Sequence, residues 1–412
     1  MARILLSAYA CEPGRGSEPG VGWSWAIELA ALGHDVTVIT RSANRHAIEQ
    51  LPSGFVRQLG FVYYDLPRWT QRWRRYPGGK ALYYVLWQFL AARHVKRLFP
   101  LPPFDVVHHV TYVSVRYPSF MGSLGIPFWF GPVSGGETVP ANLRSGFSLR
   151  ERLCERIREI SNHLVPLDPL MRRTFRQADR LMVTRDTLSL IPQRWRHKAA
   201  VQLAVGLSDR DLTAVRQKPR HNSRQIHLLY VGRLLEWKGL DVALRSVRIL
   251  KQSCPEVSLT LIGNGPARSR LAALSRELGI EPEVRWLGWL PQEALATHYR
   301  AADILLYPSL RDSGGMVVLE ALAHGLPVIC TDLGGPGIIV NSTCGRTIAA
   351  SGSKPDELAG NIAAALLEIL NTPHILESLA YGATLRAREL RFRNLVQSLY
   401  SDRSAPAIAQ EA

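Results

Sequence analysis

The residue types best suited to chemistry gather in SLRDSGGMVVLEALAHGLPV, residues 309–328, where Asp312 and Glu320 flank Gly314 and Gly315 with seven residues between the two acids. A strand-like run, Ile304–Tyr307, enters the turn through Pro308. Helical spacing and good helix formers then predict a helix over Met316–His324. Strand, glycine turn and helix start together make an anion site. The first amides of a helix lack intrahelical partners, its dipole is positive at that end, and glycine lets the backbone come close. Glu320 falls about one turn into the helix, where it would reach past a phosphate to hydroxyl groups. The same pattern also describes an ordinary strand–helix turn with a surface acid at each end. In GRLLEWKG, directly after the strand-like His227–Val231, Arg233 and Lys238 lie five apart and could straddle a diphosphate, Arg as a fork and Lys as a point charge. No metal-ligand cluster stands out, so leaving-group charge would fall to Arg, Lys and backbone amides.

The elements that must position these residues follow from pattern. The chain has 412 residues, 46% of them hydrophobic and 20% charged, which points to a globular protein of two or three domains. Residues 3–10 read as a first strand, CEPGRGSEPGVGW as a glycine-rich loop, Trp23–Leu32 as a helix and Val36–Thr40 as a second strand, an opening typical of a parallel sheet. The loop is not GxGxxG, and VITR lacks the acid a dinucleotide site wants, so a nicotinamide dehydrogenase is disfavoured. Phe104–Val110 reads as a further strand ending in His108 and His109, with more strands at 127–136, 180–184 and 199–205. Residues 144–176, with eight arginines and four acids, read as amphipathic helices whose basic face is solvated.

After a polar stretch, the linker at 208–224, a second pattern begins. Strands at 227–231, 258–262, 284–287, 304–307 and 328–331 alternate with helices, and each glycine loop falls on one sheet edge. The expected organisation is a first domain over 1–207, a second over 225–382, and a C-terminal helix at about 383–402.

Charge is uneven. Of the net +16, residues 1–210 carry 28 Lys/Arg against 15 Asp/Glu. Within them, Arg68–Phe99 interleaves aromatics and arginines before an apolar helix, a composition suited to an anionic membrane surface, to a buried helix with a basic end, or to stacking on single-stranded nucleic acid. No nucleic-acid recognition motif accompanies it. The five cysteines are scattered, without CxxC spacing, and fit a reducing cytoplasm; the N-terminus reads as a strand rather than a signal peptide. The expected location is cytoplasmic, peripheral on the inner membrane face if the basic stretch is an anchor.

Taken in order, YVGRLLEWKGLD, LIGNGP, WLGWLP and YRAADILLYPSLRDSGGMVVLEALAHGLPVICTDLGG resemble the donor half of retaining glycosyltransferase family 4. EPGVGWSWAIELAALGHDVTVITR resembles that family's N-terminal loop, helix and second strand. The resemblance implies a GT-B fold, two Rossmann-like doubly wound α/β domains facing a cleft, and transfer of a hexose from a nucleotide-diphosphate sugar, a co-substrate, with no cofactor. It also implies that the last helix, near Phe392–Tyr400, crosses back onto the N-terminal domain. By the resemblance Gly232, Arg233 and Lys238 serve the donor diphosphate, with Asn264 and Gly265 in the next loop. Leu287 lies where the base is contacted. Gly314, Gly315, Met316 and Val317 offer backbone donors, Glu320 takes the ribose hydroxyls and Asp312 hydroxyls of the donor sugar. Gly20 and Gly22 would lie against donor phosphate and acceptor.

Two departures stand out. Asp312 replaces the commoner Glu, and His108-His109 stands where the family often has His-x-His. Strand alternation puts the two histidines on opposite faces, so one is expected to face the sugar, His109 ahead of His108. The acceptor implied is a saccharide or lipid-linked saccharide. Rival readings are a soluble transferase on a small acceptor, a GT-B-shaped binding protein without catalysis, and a nucleic-acid binder.

Overall fold

The computed structural model describes residues 1–51, 58–100, 103–209, 211–212, 225–372 and 374–401. The linker expected at 208–224 lies mostly outside them. The described chain divides into two compact units, one of Met1–Gly136, Ile160–Ala204 and the segment from Phe392, the other of Glu137–Glu159 and Val205–Arg391.

The first unit is built on a parallel sheet of seven strands: β1 (Arg3–Ser7), β2 (Asp35–Thr40), β3 (Leu59–Tyr63), β4 (Val106–His109), β5 (Phe128–Val133), β6 (Arg180–Val183) and β7 (Ala199–Val201), in the order β3-β2-β1-β4-β5-β6-β7. Near-continuous apolar runs such as ILLS suit strands covered on both faces. Alternation sorts the side chains into two cores. Ile4, Leu6, Val36, Val38 and Val106 pack with Trp25 and Leu29 of the helix Ser17–Ala31 and with Phe392, Val396 and Tyr400 of the helix Phe392–Ser401. Leu5, Ile39 and Val107 pack with Tyr84, Trp87 and Ala91 of the helix Gly79–Leu98.

The second unit holds six parallel strands: β8 (Gln225–Val231), β9 (Glu256–Ile262), β10 (Val284–Gly288), β11 (Ile304–Tyr307), β12 (Val328–Thr331) and β13 (Gly345–Ile348), in the order β10-β9-β8-β11-β12-β13. Five of these were expected from the sequence; β13 and, in the first unit, β3 were not.

Three features differ from expectation. Residues 137–159 cluster with the second unit, because Glu155 takes the Arg311 guanidinium, Asn142 donates to the Ser353 carbonyl (2.8 Å) and the Ser148 amide donates to Glu236 (2.7 Å). The helix expected over 383–402 is two. Ile375–Glu389 stays with the second unit, and the chain breaks at Leu390–Arg391, where Leu207 pairs with Arg391 and its amide donates to the Leu390 carbonyl (3.1 Å). Finally, Arg150, Arg152 and Arg156 of the helix Leu149–Leu164 are exposed as expected, but its inner face is not apolar. The helix buries Glu155 and Asn162 and exposes Leu149, Leu153, Ile157, Ile160 and Leu164. Its inner contacts are polar: Glu155 also accepts from the Val139 amide, and Asn162 donates to the Gly136 carbonyl.

The first helix starts at Ser17, earlier than Trp23, so Gly20 and Gly22 sit inside it rather than in a loop. A Cβ on Gly22 would lie 2.1 Å from the Ala10 carbonyl oxygen and 2.9 Å from Thr111 Cγ2; one on Gly20 would lie 2.0 Å from the Arg15 carbonyl oxygen. Both are close-approach positions. Gly22→Ala is expected to cost about 1–3 kcal/mol through overpacking, read as a lower midpoint in urea unfolding at unchanged slope; an unchanged midpoint would show that the helix shifts freely.

Candidate functional site

The second unit gathers the candidate donor-site residues at the carboxyl ends of its central strands. β8 is followed by Gly232 (φ 145°), whose amide donates to the Ile262 carbonyl (2.9 Å). The loops after β8 and β9 touch backbone to backbone: a Cβ on Gly263 would sit 1.9 Å from the Gly232 carbonyl oxygen, and one on Gly265 2.3 Å from that of Leu234. Gly265 is thus a packing glycine. Asn264 is exposed and folds its Oδ1 onto the Gly265 amide (2.8 Å). Arg233 is exposed, and among the described residues its guanidinium has no partner. Leu287 occupies the register shift between Trp286 and Gly288 on the edge strand β10, which takes it out of the regular ladder.

Lys238 closes a short 3-10 turn, Glu236–Lys238, and Gly239 (φ 67°) carries the chain past the Pro308 carbonyl, 2.0 Å from where a Cβ would stand. That turn brings Lys238 to the end of β11. Its ammonium donates to the Tyr307 hydroxyl (2.7 Å) and to Asp312 Oδ2 (2.7 Å), and the Tyr307 hydroxyl donates to the same oxygen (2.6 Å). Asp312 Oδ1 accepts the amides of Gly314 (3.1 Å) and Gly315 (3.0 Å). The shorter aspartate therefore turns back on its own loop, with both oxygens engaged there. Burial pushes its pKa up, but Lys238 and the hydrogen bonds outweigh that and hold it below the usual carboxylate range. Tyr230, stacked under Tyr307 at 5.7 Å, is pushed up by burial, as is Tyr307.

Gly315 (φ 70°) caps the helix Met316–Ala323, which starts and ends close to expectation. The first amides of that helix, Met316 and Val317, precede the bond from the Val318 amide to the Gly315 carbonyl (2.9 Å). The loop after β12 braces the turn: the Gly335 amide donates to the Asp312 carbonyl (2.8 Å), and a Cβ on Gly334 would fall 2.1 Å from that oxygen. Glu320 stands one turn into the helix and receives the Tyr299 hydroxyl at Oε2 (2.8 Å). Its pKa is raised, by burial first, against the lowering hydrogen bond from Tyr299, with Asp211 adding to the rise. Next to this array, Arg311 pairs with the buried Glu155 and lies over the Trp237 ring at 4.2 Å.

Tyr307, Tyr299 and the Arg311–Glu155 pair were not anticipated. An aromatic ending a strand reads as core, and only the Tyr-Pro step after β11 hinted that its hydroxyl emerges at the turn.

His108 and His109, of which one was expected to face the sugar, end β4 in the first unit. Both are fully buried, each under a helix. His108, on the Val106 face, bonds the Tyr400 hydroxyl (2.9 Å) and the Gly131 carbonyl (3.0 Å). His109, on the Val107 face, meets the Tyr84 hydroxyl (3.1 Å), Gln88 (3.0 Å) and the Thr111 carbonyl (3.2 Å). Burial lowers both pKa values to about 3, so both are neutral. Alternation holds to the strand end, and the two helical layers cover both faces. Neither ring reaches a solvent-facing surface. Among the described residues no group of three or more His, Cys, Asp or Glu side chains stands together, and no helix is long and apolar enough to cross a membrane.

Residues 211–381 match the family described as Glycosyl transferases group 1. The D-inositol 3-phosphate glycosyltransferase of Thermobispora bispora is 39% identical over 169 residues, 39% of this chain and 38% of that protein. The enzyme of the same name from Rhodococcus erythropolis is 33% identical over 205 residues, 46% of this chain and 45% of its own. The chain thus matches less than half the length of these relatives. Among solved structures, sucrose-phosphate synthase from Thermosynechococcus elongatus superposes with a TM-score of 0.59 at 17% identity, over 97% of this chain and 98% of that one. Anabaena HepE in complex with UDP gives 0.57 at 15%, over 97% and 99%. Residues 211–381 are thus similar to the glycosyl transferases group 1, and the two parallel-sheet units share the GT-B fold of these solved structures.

Proposed function

We propose that the protein is a retaining hexosyltransferase that uses a nucleotide-diphosphate sugar as co-substrate, with no resident cofactor. The observation that carries the reading is the cluster of Lys238, Tyr307 and Asp312 on the glycine turn that opens the helix Met316–Ala323, with Glu320 one turn further on. A cation, helix-start amides and a second carboxylate at this spacing match a phosphate, its neighbour and a ribose. HepE, similar in fold, was solved with UDP and with UDP-glucose, which supports a nucleotide-sugar donor.

The chemistry follows from charge placement. As the bond from the anomeric carbon to the diphosphate oxygen breaks, negative charge grows on the leaving group. Lys238, Arg233 and the Met316 and Val317 amides stabilise it. The incoming hydroxyl oxygen bonds to the same face of the carbon, and its proton passes to the departing phosphate oxygen. No protein nucleophile is required, and the gain comes from positioning and preorganised charge. The acceptor we favour is a saccharide or lipid-linked saccharide of cell-surface polysaccharide or glycolipid assembly, in keeping with the fold neighbour WaaG, a glycosyltransferase involved in lipopolysaccharide biosynthesis. The D-inositol 3-phosphate glycosyltransferases among the relatives favour a second reading, a small soluble acceptor.

The test is a thermal-shift screen against UDP, GDP and their sugars. A ligand at about a hundredfold its dissociation constant stabilises the folded state by about 2.7 kcal/mol. At about 2–4 °C per kcal/mol for a domain of this size, one nucleotide series is expected to raise the melting temperature by several degrees. No shift with any of them would overturn the donor assignment.

A further inference from the structure

The turn that carries Lys238 is gripped by a stretch of chain distant from it in sequence. Residues 137–159, which cluster with the second unit, reach the turn Glu236–Lys238 at two points. At the first, the Ser148 amide donates to Glu236 Oε2 (2.7 Å). At the second, Glu155 takes the Arg311 guanidinium, which lies over the Trp237 ring at 4.2 Å. The backbone supports that second point, since the Leu310 amide donates to the Trp237 carbonyl (2.9 Å). Arg311 directly precedes Asp312, the carboxylate that receives Lys238. One guanidinium therefore ties together the two loops that meet at the candidate diphosphate position.

Glu155 is an uncommon residue to find behind such a turn. Its side chain is 1% exposed, on the inner side of the helix Leu149–Leu164. Oε2 accepts the Val139 amide (3.1 Å), Oε1 faces Arg311, and Arg158 lies 3.8 Å from that same oxygen. A buried carboxylate is costly unless it is paired and hydrogen-bonded, as this one is. Even then, such a pair adds little net stability over well-packed apolar side chains of similar volume. What it supplies is direction. A planar guanidinium with a carboxylate at its edge and a ring against its face is fixed in position and orientation. Lys238, by contrast, is a point charge on a flexible stem, and it acts only where its turn places it.

We propose that Glu155 is a positioning residue for the donor site. Through Arg311 and Trp237 it fixes the turn Glu236–Lys238, and with it the ammonium that meets the donor diphosphate. The proposal rests on the nucleotide-sugar reading of that site.

The experiment measures UDP and GDP binding to the full chain by calorimetry, for the parent, Glu155→Gln, Lys238→Ala and the double variant. Glutamine keeps the size of the side chain and an oxygen for the Val139 amide, but it removes the charge that holds Arg311. Affinity for the nucleotide that the parent binds is expected to fall about tenfold in Glu155→Gln, within the range for network residues that touch no ligand. In the Lys238→Ala background the same change should cost about twofold at most, because the group it positions is gone. A loss of general packing would instead carry over in full. Arg311→Lys leaves Glu155 a counter-charge but takes the flat fork off Trp237. It should show the same dependence on Lys238, and it carries the test if Glu155→Gln does not fold, which circular dichroism melting reports. Unchanged affinity in the folded variants, or an equal loss with and without Lys238, would overturn the proposal and leave the donor site in place. Absence of UDP and GDP binding in the parent would overturn the donor reading and this proposal together.

Discussion

Replacing Lys238 by alanine is expected to lower sugar transfer by at least two orders of magnitude while the protein stays folded. Lys238 is the cation that the fold fixes most firmly at the candidate diphosphate position, through the Tyr307 hydroxyl and Asp312. Loss of one preorganised charge from a site where negative charge develops typically costs about 10²–10³ in turnover. The structure also explains why folding should survive. Without the ammonium, Asp312 keeps the Tyr307 hydroxyl and the amides of Gly314 and Gly315, so no buried carboxylate is left bare. Lys238→Arg should not restore the rate, because a planar fork cannot take the place of a point charge held between two oxygens 2.7 Å away. Initial rates and melting curves of both variants check this. Transfer within tenfold of the parent by Lys238→Ala would remove Lys238 from the leaving-group assignment.

Much of the second unit can be read from sequence because its strands are short apolar runs, each closed by glycine or proline, and a parallel strand covered on both faces needs nothing else. β13 escaped that reading: GRTI has one strong apolar residue, and its place is set by pairing with β12 rather than by its own pattern. The start of the first helix was missed for the opposite reason. SEPGVG looks like a loop by propensity, yet a helix must pass close to the Ala10 carbonyl, and only glycine permits that. The histidines show what position along a strand leaves out. A strand end usually lies near a ligand, but alternation and two helical layers enclosed both rings. Spacing singles out Asp312 as a candidate but not its partner Tyr307, since spacing cannot say which way a hydroxyl emerges.

Replacing Glu320 by glutamine is expected to separate binding from stability. If Glu320 accepts the ribose hydroxyls, its replacement removes the equivalent of one hydrogen bond to a charged group, worth about 1.5–3 kcal/mol. Nucleotide affinity should then fall between about tenfold and a little over a hundredfold. The folded protein without nucleotide should respond in the other direction. The Glu320 pKa is raised above its unfolded value, chiefly by burial. A carboxyl raised in the folded state holds its proton more tightly there than in the unfolded chain. Ionisation therefore weighs against folding, and stability falls as pH rises from the unfolded pKa through the folded one. Glutamine has no such penalty and still accepts the Tyr299 hydroxyl. Glu320→Gln should thus melt higher than the parent at pH 7–8, with the difference closing as pH falls below the ordinary glutamate range near about 4.3. Two titrations decide it: melting temperature against pH, and thermal shift against nucleotide at fixed pH. A variant that melts lower at neutral pH would mean that the buried carboxylate holds the helix Met316–Ala323 in place, and a variant that binds nucleotide normally would move the ribose site elsewhere.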